Sequence, residues 1–339
     1  MVALLSCLAA CAGVPAATEP DDEAGAAPAA DKPSGVEEVY VELEGLSGAA
    51  REERLLALAG EEEGARELYC ILNGDEAQAI PAAFEAGTGI AVDLYRAPSQ
   101  ETTTRILEES EADASQADVM CLNGPDGVIL DREGLLALLR IDVDGYPDDR
   151  NEGTFAWFFI SVFAPWWNTT LVPDSEVPQS WEDVLGYDGR QALEVKAFDW
   201  FATLVEDYFV AQQGMTESEA VGIFRSAADG AVLVDGHSVA GQLLSAGEFD
   251  MTVGYAWVAA ANAKEGAPVA WEPPVEPLPS RPNVAGILKT AAHPATALAY
   301  VEFMLDEGQQ ILADYGRTAA NPRYTTGGRA LAHQSREDD

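Results

Sequence analysis

Positive charge is scarce in this chain. Lysine and arginine together number 19 against 58 acidic residues, a formal net charge of −39. Only four lysines occur: Lys32, Lys196, Lys264 and Lys289. So anionic a surface repels a phosphate backbone, which argues against nucleic acid as a partner. It gives an anionic lipid surface nothing to hold either. The charge fits a protein kept soluble in high salt, and equally one from a generally acidic proteome. Histidine is scarcer still, at three residues. None lies near a cysteine in sequence, so no Cys/His metal motif is written. No apolar run approaches the roughly 18 residues of a spanning helix.

What is present is a chain of 339 residues with 47% apolar content, enough for two domains with sizeable cores. The start, MVALLSCLAACAG, is a short apolar run in which small residues precede Cys11. It resembles a lipoprotein signal over residues 1–11, without the usual basic leader, and Cys11 would carry the lipid. Leu4-Leu5-Ser6-Cys7 is a poorer second match, and an Ala/Leu-rich start with no role is the alternative. Residues 12–36 are mostly Ala, Pro, Gly and acid, which bury no core and read as a flexible tether. Anchor plus tether imply a protein outside the cytoplasmic membrane, lipid-anchored at a cell surface or in a periplasm. Cys70 and Cys121 remain, each in an apolar run. They read as free buried thiols, with a disulfide as the alternative.

Along residues 47–140, helical segments alternate with short strands. Ser47 is a candidate N-cap for a helix to about residue 62. ELYCIL reads as a first strand, IAVDLYRA as a second and QADVMCLNG as a third. The helices between them are EAQAIPAAFEAGTG, ending at Gly87 or Gly89, and QETTTRILEESEAD; DGVILDREGLLALL follows the third strand. This alternation predicts an α/β fold with a parallel sheet and helices on both faces. Right-handed crossovers bring the polar loops after the strands to one edge, where open parallel sheets bind ligands. TFAWFFISVFAPWWNTTLVP is too long and aromatic for one surface strand, and reads as a strand crossing to a second body. Ser180 caps a helix over WEDVL. A second series follows: helices DWFATLVEDYFVAQQ and ESEAVGIFRSAA, strand AVLVDG, helix HSVAGQLLSAG, strand MTVGYAWV and helix AANAKEG. PVAWEPPVEPLPSRP reads as a connection back, NVAGILKTA as a strand, and the segment from Pro294 as one or two helices.

Five blocks in order carry a family resemblance: AFEAGTGIAVDLYR, ADVMCLNGPDGVILDREGLL, WWNTTLVPDSEVPQSWEDVL, AGEFDMTVGYAWVAAANAKEGAPVAW and ILKTAAHPATALAYVEFMLDEGQQ. Over about residues 45–322 the chain resembles extracellular solute-binding proteins of ABC importers, in the group that includes ferric-ion-binding proteins. The resemblance implies a two-lobed periplasmic-binding-protein-like fold of type II, with a ligand cleft between lobes joined by hinge strands. The expected lobes are 45–160 plus 275–312 and 161–274 plus 313–330, with hinges near Ala164–Trp167 and Pro273–Pro282. The implied partners are a permease and a separate ATPase. GILKT lacks the glycine spacing of a phosphate loop, so no nucleotide site is expected here.

The candidate ligand contacts are strand-end residues: Asn73 and Asp75, Ser99 and Gln100 with Thr102, Asn123 with Gly124, and His237 with Ser238. Each has a plain alternative as a helix cap. His237 reads as a ligand contact or an anion-binding cation. Lys196, with Asp199 and Trp200, precedes a long helix and suits an anionic ligand. Tyr255 and Trp257 stand where ferric-binding relatives carry two adjacent tyrosines whose phenolates ligate iron. Here Ala256 follows Tyr255, so a metal site would rest on Tyr255 alone, and an aromatic clamp for an organic ligand fits as well. No cofactor is expected; iron(III) or an iron chelate would be the transported ligand. A small organic anion, a phosphonate or a polyamine is the alternative solute. A rival class is a secreted serine hydrolase, with Ser238 in Gly236-His237-Ser238-Val239-Ala240 and His293 downstream.

Overall fold

The structure is a computed structural model and describes residues 35–72, 74–195 and 198–324. The expectations at Cys11, Asn73 and Lys196 lie outside the described residues. The first half runs α1 (Gly35–Glu42), α2 (Gly48–Glu61), β1 (Glu67–Cys70), α3 (Glu76–Thr88), β2 (Asp93–Arg96), α4 (Ser99–Glu111), β3 (Ala117–Asn123) and α5 (Gly124–Arg132). A long strand, β4 (Phe155–Asn168), follows. Then come α6 (Trp181–Leu185), β5 (Gln191–Glu194), α7 (Phe198–Thr203), α8 (Glu217–Asp229), β6 (Val232–Val234), α9 (His237–Ser245), β7 (Met251–Tyr255), α10 (Ala256–Lys264) and β8 (Val269–Ala270). The chain returns through β9 (Ser280–Ile287), α11 (Pro294–Leu305), α12 (Glu307–Asp314) and β10 (Thr318–Ala319).

Local signals explain many of the boundaries. Gly89 ends α3 in the left-handed conformation at φ 75°, where only glycine avoids a Cβ clash. Gly134, at φ 70°, does the same after α5. Leu135 N–H then closes on the Leu130 carbonyl, so the helix expected to reach residue 139 stops at Arg132. Ser180 and Asp183 form a reciprocal capping box at the start of α6. Ser47 occupies the N-cap of α2 but makes no side-chain hydrogen bond there. The single helix expected over residues 199–213 is α7 followed by a π-helical stretch, Leu204–Gln212.

The strands form one sheet in the order β2-β1-β3-β9-β4-β7-β5-β6, with β8 and β10 pairing to β4. β1, β2 and β3 are parallel, as are β5, β6 and β7. The two returning strands make it mixed, because β9 is antiparallel to both β3 and β4, and β4 is antiparallel to β7. β4 changes partner midway. Phe155–Val162 pairs with β9 and Phe163–Trp167 with β7, so the crossing lies just before the expected hinge at residues 164–167.

β4 is buried along nearly its whole length, because both its faces are covered by helices. Alternate residues serve opposite faces, except at the register shift after Trp157, where Phe158 and Phe159 both join one core. In the first lobe, Ala156 and Phe158 join the core under α2, α3 and α11, while Phe155 and Trp157 join the core under α4 and α5. In the second lobe, Phe163 and Trp167 join the core with α6, α7 and α8, and Ala164 and Trp166 the core with α9 and α10. Fully burying one side chain of this size contributes about 1.5–3 kcal/mol. β4 is therefore the element that neither lobe can lose.

Two expectations are corrected here, and one strand was not expected. The tether assigned to 12–36 overlaps α1, whose Val36 is packed in the first-lobe core. The described part of 313–330, assigned to the second lobe, belongs with the first: Leu312 lies in its core and Thr318–Ala319 pairs with Phe159–Ile160. The segment QALE forms β5, a strand too short for its alternation to be seen. Cys70 and Cys121 are register partners on β1 and β3, and both are buried free thiols. Burial, together with the neighbouring Cys70, holds the Cys121 thiol well above its usual pKa.

His293, at the N-cap of α11, ties that helix to β3. Its Nδ1 lies 2.9 Å from Asp118 Oδ2 and its Nε2 2.9 Å from the Glu63 carbonyl. Both partners only accept, so the doubly protonated ring alone satisfies both contacts. Burial opposes the charge, but Asp118 and the Glu63 carbonyl outweigh it, and the pKa rises above its ordinary 6.5. This stabilisation is complete below the unfolded-state pKa and fades as pH rises through the higher folded-state value. Urea unfolding of the wild type and His293→Gln from about pH 6 to about pH 9 tests it: the stability gap narrows on going alkaline. A gap constant with pH would show that His293 acts there as a neutral ring.

Candidate functional site

The site follows from strand direction. β4 runs parallel to β1–β3, through the antiparallel β9 between them, and leaves the first lobe at the carboxyl edge of those strands. It then runs antiparallel to β7, so the carboxyl ends of β5, β6 and β7 point back at its midpoint. Both sets of strand ends thus converge on one crossing.

At that crossing Tyr255, the last residue of β7, pairs with Phe163, and Ser161 pairs with Arg281 of β9. Arg281 donates from Nη2 to the Tyr255 hydroxyl at 2.7 Å and pairs through Nη1 with the Asp199 carboxylate at the start of α7. Its Nε–H is buried with no partner. Burial disfavours the guanidinium charge, but Tyr255 and Asp199 outweigh it and its pKa is raised. His237 stacks obliquely on Tyr255, with ring centroids 4.0 Å apart, and its buried Nδ1 has no partner. Burial, and then Arg281, push its pKa down to about 4. His237 is therefore uncharged at neutral pH, which corrects the cation expected of it; the cation at this crossing is the Arg281 guanidinium.

A second arginine lies close by. Arg317 pairs with Glu76 at the start of α3, with Nε 3.0 Å and Nη2 2.5 Å from Oε1. Its guanidinium lies 3.7 Å over the Trp257 ring. Trp257 is the second residue of α10, because β7 ends at Tyr255; the expected strand through Trp257 is corrected accordingly. The indole Nε1 of Trp257 is buried without a partner. A first-lobe ion pair thus leans on a second-lobe indole across the cleft.

The first-lobe candidates are less available. Ser99 is buried; its hydroxyl donates to Asp126 and accepts from Asn123 N–H at 3.0 Å. The structure brings Ser99 and Asn123 together to join α4 to α5. Thr102 is fully buried and turned back on the Pro98 carbonyl. Asp75 is exposed at the N-cap of α3, and Gln100 and Ser238 are exposed on the first turns of α4 and α9. Ser238 has no triad with His293, whose two ring nitrogens are engaged beside Asp118 behind β3. Arg281, Asp199, Glu76 and Arg317 complete the site. Sequence reading treated Arg281 as part of a proline-rich connection, and no local signal marks it.

Two sets of strand ends converging on one crossing, with charged and aromatic side chains gathered there, is an arrangement at which α/β proteins take ligands. The chain belongs to the family of bacterial extracellular solute-binding proteins, whose family model matches residues 73–311. It is similar to iron-bound HitA from Pseudomonas aeruginosa, at 20% identity over 80% of this chain and 90% of that one, with a TM-score of 0.67. It is also similar to AfuA from Actinobacillus pleuropneumoniae with fructose-6-phosphate bound, at 20% identity, 80% and 89% coverage and a TM-score of 0.64. A third likeness is to Trichodesmium IdiA (FutA) in complex with iron and citrate, at 17% identity, 80% and 91% coverage and a TM-score of 0.62. At such identities the likeness shows the fold. A search of curated proteins finds no match to the sequence.

The Glu76–Arg317 pair is held at side-chain exposures of 3% and 5%. Removing one charge from a buried pair costs up to about 3–5 kcal/mol, less whatever the Trp257 ring and the further interaction of Arg317 offset. Glu76→Gln is therefore expected to lower stability by about that amount in urea unfolding. A loss below about 1 kcal/mol would mean the arginine finds water or another acceptor.

Proposed function

We propose that this chain is the capture subunit of an ABC importer, tethered outside the cytoplasmic membrane, and that it takes a small organic anion into the cleft. The observation that carries the reading is Arg281: a charged guanidinium at the strand crossing, with a buried Nε–H lacking an acceptor. Buried donors without partners are rare in folded proteins, and a ligand oxygen is the kind of group that satisfies them. Tyr255 and His237 supply the aromatic wall. Binding is non-covalent, and lobe closure about β4 and the segment before β9 presents the loaded form to a permease, with hydrolysis left to a separate ATPase.

Iron enters as a second reading through Tyr255 and the iron-bound relatives. A bare ferric ion is poorly served here. One phenol is present, its oxygen accepts from Arg281, and no group of three or more His, Cys, Asp or Glu suited to a metal occurs among the described residues. Iron carried by a carboxylate chelator fits better, because the chelator would meet Arg281.

Calorimetric titration with citrate, ferric citrate, ferric nitrilotriacetate, sugar phosphates, phosphonates and polyamines separates these readings. We expect binding by one of the organic anions, weakened about tenfold or more, or 1.4 kcal/mol, in Arg281→Gln. Ferric transfer from nitrilotriacetate, lost in Tyr255→Phe, would restore the bare metal. Binding by polyamines alone would overturn the anion reading. Tethering is tested separately: Cys11→Ser is expected to move the protein from the membrane to the soluble fraction, and an unchanged distribution would remove the anchor.

A further inference from the structure

We infer that Arg317 and Trp257 form a brace across the hinge, a contact between the lobes that sets how far the ligand-free protein stays closed. The brace serves any solute and does not depend on the anion reading. Its two sides belong to different lobes. Arg317 directly precedes β10, whose Thr318 pairs with Ile160 in the first-lobe half of β4. Trp257 lies just beyond Tyr255, which pairs with Phe163 in the second-lobe half. These attachment points flank the change of partner in β4, so the brace spans the place where that strand passes between the lobes.

The first lobe fixes its half in advance. Glu76 accepts from Arg317 Nε at 3.0 Å and from Nη2 at 2.5 Å, and Arg317 has a further interaction besides. The Phe159 ring centroid lies 5.3 Å from the guanidinium carbon. The planar group so held meets the second-lobe indole, with the Trp257 ring centroid 3.7 Å away. A guanidinium over a tryptophan face is a favourable cation–π geometry, stronger where water is excluded, and Arg317 is only 7% exposed. The contact also has a cost. The indole Nε1–H is buried without an acceptor, so making the contact strips a donor of its water. Gain and loss are of similar size, which keeps the joined and parted arrangements close in energy. Such a balance suits a hinge, because a solute held between the lobes then needs only a small differential affinity to shift the population. A contact of core strength would lock the lobes together instead.

Small-angle X-ray scattering from the full-length, ligand-free protein tests this, since the chain outside the lobes contributes equally to every variant. Trp257→Leu keeps an apolar side chain and loses the ring; it is expected to raise the radius of gyration. Trp257→Phe keeps a ring and is expected to restore part of the wild-type value. Arg317→Lys keeps the charge without the planar face, and is expected to open the protein as Trp257→Leu does. Hydrogen exchange gives a local readout. The backbone amides of β4 from Ile160 to Phe163 are expected to exchange about tenfold faster in Trp257→Leu, while those of Met120–Leu122 in β3 keep their rates. A Trp257→Leu protein with the wild-type radius and wild-type exchange at the crossing overturns the proposal. So does a lowered melting temperature with an unchanged radius, which would show that Trp257 only packs α10. Equal opening in Trp257→Leu and Trp257→Phe overturns the ring's part in the contact. If Arg317→Lys does not fold, the two Trp257 variants decide the matter alone.

Discussion

The rest of the structure depends on the change of hydrogen-bonding partner within β4. Its first eight residues are laddered to β9 and its last six to β7 and β8, and the side chains between contribute to all four apolar cores. A strand alternates its side chains between two faces, so one continuous strand fixes the faces of both lobes at once. The antiparallel pairing to β7 brings the second set of strand ends back to where the first set stops. The cleft is thus a consequence of chain direction, and its residues come from segments more than a hundred positions apart.

Electrostatics works at two scales. The surface is heavily anionic, with a net charge of −39, and such charge governs solubility and long-range association. The cleft is organised differently, around two arginines, each held to a carboxylate and each against aromatic rings. Burying a charge pair gives little net stability compared with an apolar replacement. Two such pairs at the meeting place of the lobes are therefore not explained by stability alone, which is what the proposed solute site rests on. The four ring or guanidinium nitrogens left buried without partners, on Trp200, His237, Trp257 and Arg281, support this, since a purely structural interior avoids such atoms.

Much of the architecture was legible in residue order. Strand–helix alternation, the glycine stop at Gly89, the Ser180 cap and the overlong aromatic strand are local signals, and each has its physical counterpart; the stop at Gly134 was missed, because the apolar pattern runs on past it. β5 escaped because four residues carry too little pattern. The switch at Tyr255 from strand to helix escaped because alanine and tryptophan tolerate both states. The site was legible only in part. His237 was visible as a strand-end residue, and Tyr255 through the family resemblance. Ser99 looked like a ligand contact and is instead used to hold α4 against α5.

The sequence by itself determined the alternating α/β elements, the strand-end polar loops and the single continuous strand between two bodies, because these follow from short-range periodicity and turn chemistry. Tertiary structure alone decided which charges meet. Arg281 and Asp199 are 82 positions apart, and Glu76 and Arg317 are 241 apart. No local pattern pairs such residues. They meet because sheet register places Arg281 opposite Ser161, and because α12 and β10 return the chain to the first lobe beside α3.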